Sequence, residues 1–496
     1  MTLRKQVSRG LKWQIINIAG KQLLSLVVFT TLARLLDPAA FGLLALIGVY
    51  TYFASMLADL GIGVALVQRK DLDKAHVDTA FWFNMGCNAA LCAGTIALAG
   101  PIATLMGEPK LMPLLRWASL GLMFGAASAV QGTLFTKELD FRGPTIRTLI
   151  GNGVGGAVGV GMALAGFGVW ALIGQLLAGS FAGAVFMCIA SSYRPSFNFS
   201  FRHLRELLAV GSAVFANALI WFFSSRLDQL VIGRMAGVPV LGLYVISTKV
   251  PEMAKGATQQ PIIDVSVPAL ARLQHDHERM REALYHGMEL NTLVMFPMYV
   301  GIAATAHDLV PFLFGSKWAA AAPISSLLAI YYLFNSQQVF FYPALLASGV
   351  TGKYVLLNIA QSIGVLIACT IGIRFGIAYL VLGLILNNLT LVVPAMLLLR
   401  HRIQLSPLRY YRPGLIPACA SLLMATSVWL LSALFPTGTS LLVRLIGEVT
   451  LGAGIYIAFI YLYKRTALVN LIQMVRHAIG ISAKTSVGIV VAPTAE

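Results

Sequence analysis

Residues 11–44 read LKWQIINIAGKQLLSLVVFTTLARLLDPAAFGLL, an apolar run that nevertheless carries Gln14, Asn17, Lys21 and Ser25. About 20 predominantly apolar residues suffice to cross the hydrocarbon core of a bilayer as a helix. Steps of three and four residues put these four polar groups on one helical face. A lysine at the centre of a span costs roughly 2.5–3.5 kcal/mol on insertion scales. The polar face must therefore look away from lipid, into a water-accessible interior made by neighbouring helices. A helix of this kind belongs to a bundle.

The rest of the chain agrees. Of its 496 residues 58% are hydrophobic and 11% charged, with mean hydropathy +0.80, and long apolar runs recur from end to end. The expected fold class is all-α, a polytopic transmembrane helical bundle. The start, MTLRKQVSRGLKW, has the basic character of a signal peptide, but the following run is too long and no small-residue cleavage site closes it. It reads as an uncleaved first span. Cys87, Cys92, Cys188, Cys369 and Cys419 lie in apolar segments without disulfide or metal-ligand spacing and read as packing residues.

Fourteen spans are expected, at 11–34, 40–64, 79–106, 114–135, 145–165, 169–190, 207–234, 240–264, 288–313, 323–347, 355–374, 377–399, 414–435 and 441–463. An even number places both termini on one side, and charge decides which. That side, with the even-numbered links, collects 24 of the 36 lysines and arginines; the opposite side holds 7, and Lys21, Arg147, Arg226, Lys249 and Lys255 fall inside spans. By the positive-inside rule both termini face the cytoplasm. The net charge of +17 is then a topology signal and not a nucleic-acid footprint. The link 265–287, containing HDHERMREALYHG, is expected to form a short surface helix. The tail after 463 reads as an amphipathic helix on the inner membrane surface, with Leu468, Leu471, Ile472 and Val475 on one face, and the last residues as disordered.

A shift of 200 residues superimposes Asn217 on Asn17, Ser225 on Ser25, Arg234 on Arg34, and Gly242-Leu243 on Gly42-Leu43. The polar stripe Thr51, Ser55, Asp59 falls on Pro251, Lys255, Gln259, and GFGVWAL (166–172) is echoed by RFGIAYL (374–380). Two repeats facing one cavity is a common transporter plan. The expected organisation is a six-helix lobe over 1–200 and a second over 201–400 around a central polar cavity, two further, peripheral helices over 401–463, and a cytoplasmic tail over 464–496.

No GxxxxGK[ST] loop is present, so the chain does not itself hydrolyse a nucleotide. Asp71-Leu72-Asp73 reads as a solvated loop and His275-Asp276-His277 as solvated surface, since two histidines at i,i+2 on a helix point apart. No catalytic residue, cofactor or metal is expected. The intramembrane charges carry more weight. Thr248, Glu252, Lys255 and Gln259 form one stripe with Lys249 beside it, and Pro251 favours a kink there. Even complete pairing of Lys249, Glu252 and Lys255 leaves one positive charge at depth. Arg226 and Asp228, two residues apart, cannot both face one cavity, so one must pair with a neighbouring helix. Asp59 is a candidate partner for Lys21, and Glu289 a further coupling or charge-pairing group. The candidate substrate-binding set is Gln14, Asn17, Lys21, Arg226, Lys249, Lys255 and Gln259; Asp59, Asp228, Glu252 and Glu289 are the candidate coupling or pairing carboxylates.

SRGLKW near the start, ARLLDPAAFGLLAL (33–46), ADLGIGVALVQ (58–68), FWFN (81–84) and GFGVWAL resemble the polysaccharide-exporter flippases. The nearest branch in character is that of the colanic-acid and teichuronic-acid exporters, in the superfamily that also holds multidrug/cation antiporters and the peptidoglycan-precursor flippase. The resemblance is dense over residues 8–175 and continues as architecture beyond. It implies a bacterial inner-membrane protein moving an undecaprenyl-pyrophosphate-linked repeat unit from the inner to the outer leaflet, with membrane lipid, a polysaccharide polymerase and chain-length machinery as partners and no nucleic acid. It also implies a cationic lumen, for which Lys21, Lys249, Lys255 and Arg226 have the residue type and position. Two rivals are an ion-coupled multidrug or small-molecule antiporter, whose cavity should be dominated by carboxylates, and a glycan polymerase or ligase, which should offer sizeable outward loops.

Overall fold

A computed structural model describes residues 20–69, 71–436 and 438–478. Among these the secondary structure is helical throughout. The helices are α1 (20–35), α2 (Pro38–Asp59), α3 (Ile62–Gln68), α4 (Lys74–Met106), α5 (Leu111–Lys137), α6 (Arg142–Leu164), α7 (Trp170–Ala190), α8 (Phe201–Met235), α9 (Val238–Arg272), α10 (His277–Phe314), α11 (Ala322–Ser336), α12 (Phe341–Ala347), α13 (Thr351–Gly372), α14 (Ile377–Ile403), α15 (Pro407–Tyr411), α16 (Leu415–Leu434) and α17 (Leu441–Ala478). Ten stretches of the described chain are long and apolar enough to span a membrane, each at an expected position. The other four expected spans fall on α1, α6, α8 and α9, which are helical; α8 and α9 carry several charges each, and α6 is rich in glycine. Large apolar side chains such as Leu422, Leu430 and Leu434 (78% exposed) cover the outside of α16, as a lipid-facing surface requires.

Local sequence sets the helix ends. Pro38 stands at the first position of α2, where its missing N–H loses nothing. Asp73 caps α4, its carboxylate accepting the His76 N–H at 3.0 Å. Asp276 does the same for α10 through the Arg279 N–H at 3.0 Å. That cap corrects the reading of 265–287: no separate surface helix forms, because α9 runs on to Arg272 and α10 starts at His277 and continues unbroken into its span. In α17 the helical dihedrals break at Lys464 (φ −142°, ψ 44°), which separates the span from the tail helix where the sequence placed the division. The side chains of Leu471, Ile472 and Val475, and the last residues, lie outside the described residues.

The chain forms two compact units. The first comprises residues up to Ile246 with Leu313–Gly315 and Asn358–Leu380; the second comprises Ser247–Phe312, Ser316–Leu357 and the chain from Val381 onward. In the first unit α6 and α7 meet through glycine. A Cβ on Gly155 would stand 2.6 Å from the Gln175 carbonyl oxygen, and one on Gly159 would stand 2.8 Å from the Gln175 Cβ. Small residues at four-residue intervals allow such backbone approach between membrane helices. The Gly42/Gly242 equivalence is also realised there. A Cβ on Gly42 would lie 2.8 Å from the Val238 carbonyl carbon, and one on Gly242 would lie 2.6 Å from the Pro38 carbonyl carbon, the oxygens being closer still. The first turns of α2 and α9 thus cross reciprocally, at positions related by the 200-residue offset. In the second unit a core of Met280, Leu284, Met288, Phe340, Leu399 and Tyr410 packs α10 against α12, α14 and α15.

Candidate functional site

The first unit holds a polar cavity of about 410 Å³. The stripe Thr51, Ser55 and Asp59 of α2 lines it, together with Asn84 and Asn88 of α4, Ser180 of α7, and a wall of small residues on α5 that includes Gly121 and Gly125. Residues four apart on α2 share a face, so the periodicity that predicted an inward-looking stripe places all three in one cavity. Asn88 donates to the Asn84 carbonyl oxygen at 2.8 Å and to its side-chain oxygen at 3.1 Å. Asp59 accepts the Gly63 N–H at 3.3 Å. It makes no ion pair with Lys21 or any other described cation, which corrects the expected pairing; Lys21 is exposed on α1. Gln14 and Asn17 lie outside the described residues.

Arg226 and Asp228 of α8 separate as their spacing demands. Asp228 accepts the Tyr244 hydroxyl of α9 at 2.6 Å, while the Arg226 guanidinium sits 5.9 Å from the Tyr52 ring centre on α2. Tyr52 stacks in turn on Phe222 at 5.9 Å. The group that pairs with a neighbouring helix through a hydrogen bond is the aspartate.

The second unit gathers the α9 stripe against aromatic side chains. The Lys255 ammonium lies 5.6 Å from the Tyr332 ring centre, and the Tyr332 hydroxyl donates to Glu252 at 3.3 Å. Tyr299 stacks on Tyr332 with centroids 6.3 Å apart and planes 16° from parallel. Gln259 is 4% exposed, and its amide nitrogen has no hydrogen-bond partner among the described residues. Glu252 and Lys255 share the face without closing to ion-pair distance, so the ammonium keeps donors to offer. Lys249 is half-buried on the same helix. Glu289 belongs elsewhere: it pairs with Lys464 at 2.7 Å, and Lys464 also donates to the Pro413 carbonyl at 3.2 Å. Its role is to hold the start of the tail helix.

At the expected cytoplasmic end of the first unit, Glu206 of α8 binds Arg69 at 2.7 Å and His76 at 3.3 Å. Hydrogen bonds from His76 and then Arg69 hold its carboxyl below the usual range. Asp73 is likewise lowered, first by the His76 N–H and then by the His76 ring. His76 and His203 rings lie 4.0 Å apart. Asp73, His76 and His203 offer ligand atoms within 4.8 Å of one another, the one grouping of metal-ligand type among the described residues. Asp78 fixes the 191–200 link to α4 by accepting from Tyr193 (2.6 Å) and Ser196. Burial and then the Asp78 hydrogen bond push the Tyr193 hydroxyl up. Sequence reasoning missed Asn84, Asn88 and Ser180; the i,i+4 spacing of the two asparagines was the available signal.

The comparisons with known proteins fit this architecture. The chain is 27% identical over 479 residues to the succinoglycan biosynthesis transport protein ExoT of Rhizobium meliloti (strain 1021), covering 95% of this chain and 96% of that one. It is 28% identical over 349 residues to the lipopolysaccharide biosynthesis protein WzxC of Escherichia coli (strain K12), covering 68% and 69%. Among solved structures, the lipid II flippase MurJ in an inward closed conformation superimposes with TM-score 0.74 at 14% identity, over 91% of this chain and 99% of that one. An inward-facing multidrug resistance MATE transporter gives TM-score 0.61 at 16% identity, over 77% and 94%. A family model described as polysaccharide biosynthesis protein matches residues 31–323, more than half of the sequence, and the chain belongs to that family.

Proposed function

We propose that this protein is a flippase of the bacterial inner membrane that moves an undecaprenyl-pyrophosphate-linked oligosaccharide from the cytoplasmic to the periplasmic leaflet. The observation that carries the reading is the match over nearly the whole length to a succinoglycan biosynthesis transport protein. The chemistry of α9 supports it. A pyrophosphate with an attached glycan cannot enter hydrocarbon without losing the hydration of its charges and hydroxyls. Lys255, which has no ion pair among the described residues, offsets that loss for the anion, and the stacked rings of Tyr299 and Tyr332 offer apolar faces to a sugar. Lys21, Arg226, Lys249 and Gln259 complete the proposed substrate-binding set. Both termini face the cytoplasm, transport proceeds by alternating access, and the product is handed to a polymerase with its chain-length machinery. The chemistry is transport, with no covalent step.

The paired measurement is membrane abundance and surface polysaccharide in a strain lacking the wild-type protein. Lys255→Arg retains most export, whereas Lys255→Ala and Lys21→Ala lose it at normal abundance. Normal polymer from an abundant Lys21→Ala, Lys255→Ala double variant refutes the cationic site. A second reading, an ion-coupled small-molecule antiporter, is favoured by one observation: among the described residues the polar cavity of the first unit is lined by a carboxylate, Asp59, and by no cation. Drug sensitivity in Asp59→Asn with export intact would favour that reading.

A further inference from the structure

The last two spans were expected to be peripheral, and the proposed transport chemistry uses none of their charges. Yet they contribute Arg444 and Glu448 to an enclosed charge cluster in the second unit. Asp308 on α10 and Glu448 on α17 are each 2% exposed. Arg444, one turn before Glu448, places its Nε 3.0 Å from Asp308 Oδ2 and donates through Nη2 to the Ser432 hydroxyl of α16 at 3.1 Å. Its guanidinium lies 5.9 Å from the Phe435 ring centre, which closes the cluster on that side. Glu448, one turn after Arg444 on the same helix, lies within interaction range of the Asp308 carboxyl, the Ser432 hydroxyl and the Arg444 guanidinium. His307, next to Asp308 in sequence, is exposed.

The count of charges and donors does not close with both acids ionised. Two carboxylates face one guanidinium, so the enclosed cluster would carry a net negative charge. Two neighbouring buried carboxylates repel, and in such pairs one holds its proton. Glu448 Oε2 is enclosed and receives no hydrogen bond from any described group. A proton between the two carboxyls removes both faults: it supplies the missing donor and brings the cluster to neutrality.

We propose that Asp308 and Glu448 share one proton and, with Arg444, form a proton-binding site built into the α10–α16–α17 corner. The site borders a cavity of about 790 Å³ that Glu448 lines together with Thr305, Thr450, Met424 and Tyr456. Its walls are otherwise largely apolar, so release of the proton to water leaves a buried net charge of −1 that this cavity cannot solvate while it stays dry. Loading and unloading therefore require water, or a cation, to reach Glu448. That makes the site a natural place for a transport cycle to sense protons, whatever the transported substrate is.

Infrared spectroscopy of the purified full-length protein tests the assignment. At pH 7 the wild type shows a protonated-carboxyl C=O band that shifts in deuterium oxide. Glu448→Gln keeps a donor at the same place, folds, and loses that band; Asp308→Asn serves the same purpose if the first variant is not recovered. The proposal is overturned if the wild type shows no protonated carboxyl at pH 7, or if the band persists unchanged in whichever variant is obtained. The wild-type spectrum alone decides the first of these outcomes. Export assays play no part in the test, so its failure is separate from that of the flippase reading.

Discussion

Gly42 and Gly242 provide the most direct test of the duplicated design. Adding a methyl group at Gly42 puts a carbon 2.8 Å from the Val238 carbonyl carbon, and at Gly242 one 2.6 Å from the Pro38 carbonyl carbon. Carbon atoms rest at about 3.5–4.0 Å, so either substitution requires backbone to move by roughly 1 Å. The obstacle is main chain in both cases and cannot swing aside as a side chain does. Overpacking of this kind costs about 1–3 kcal/mol, a shift of roughly 5- to 150-fold in the equilibrium between crossed and uncrossed first turns. Gly42→Ala and Gly242→Ala should each lower the midpoint of thermal unfolding and reduce export. Gly48→Ala is the control: it lies on α2 with nothing near the added carbon, and the gain in helix propensity makes it neutral or slightly stabilising. Because the two contacts form one crossing, once the first methyl has parted the backbones the second meets less resistance. The double variant should therefore lose less than the sum of the singles. Singles that unfold and export like the wild type, or losses that add fully, would refute the reciprocal crossing.

Two further predictions rest on other parts of the chain. Cysteines introduced at Ser196 or His277 should resist an impermeant thiol reagent in intact cells and react after permeabilisation; labelling from outside would contradict the 24-to-7 charge split. The carboxyls of Asp73 and Glu206, held low by His76 and Arg69, contribute stability that is present above the unfolded carboxyl range and lost as pH falls through their folded values, below about pH 4. Emission assigned to Trp82 by comparison with Trp82→Phe, whose ring nitrogen donates to the Ser196 carbonyl at 2.8 Å nearby, should stay constant from pH 8 to 5 and change only below that range; a transition near neutrality would argue against these carboxyls as the responsible groups.

What was legible in the sequence follows the physics of each signal. A polar stripe on an apolar helix announces its own orientation, because the alternative is charge in lipid; Thr51, Ser55 and Asp59 could be placed on one cavity wall from periodicity alone. Partners are another matter. One of Arg226 and Asp228 could be recognised as needing a neighbour, but only the packing of α8 against α9 selects the aspartate and gives it Tyr244. Asp59 faced the same question and met the Gly63 N–H, supplied by its own chain four residues on. Asp308 and Glu448 are 140 positions apart, on helices whose composition reads as ordinary spans, and no periodicity connects them. The start of α10 was misread for a simpler reason: a charged helix and a surface helix have the same composition. The continuity of α10 from the Asp276 cap through to Phe314, which joins this stretch to the following span, is visible only in the backbone.

The prolines of α9 gain meaning from where the compact units divide. The first segment of the first unit ends at Ile246 and the second unit begins at Ser247, inside a helix that is continuous from Val238 to Arg272. Pro251 has no N–H, so the carbonyl of Ser247 loses its helical partner one residue past that boundary. Pro261 and Pro268 remove the same bond from Ala257 and Asp264. On one side of the boundary the helix is fixed by the backbone crossing at Gly242; on the other it lacks three of its internal hydrogen bonds and carries Glu252, Lys255 and Gln259. A helix bends most easily where these bonds are missing. The segment carrying the proposed binding charges is thus the one whose backbone resists bending least, so restoring the bond with Pro251→Ala stiffens the stripe without touching its side chains.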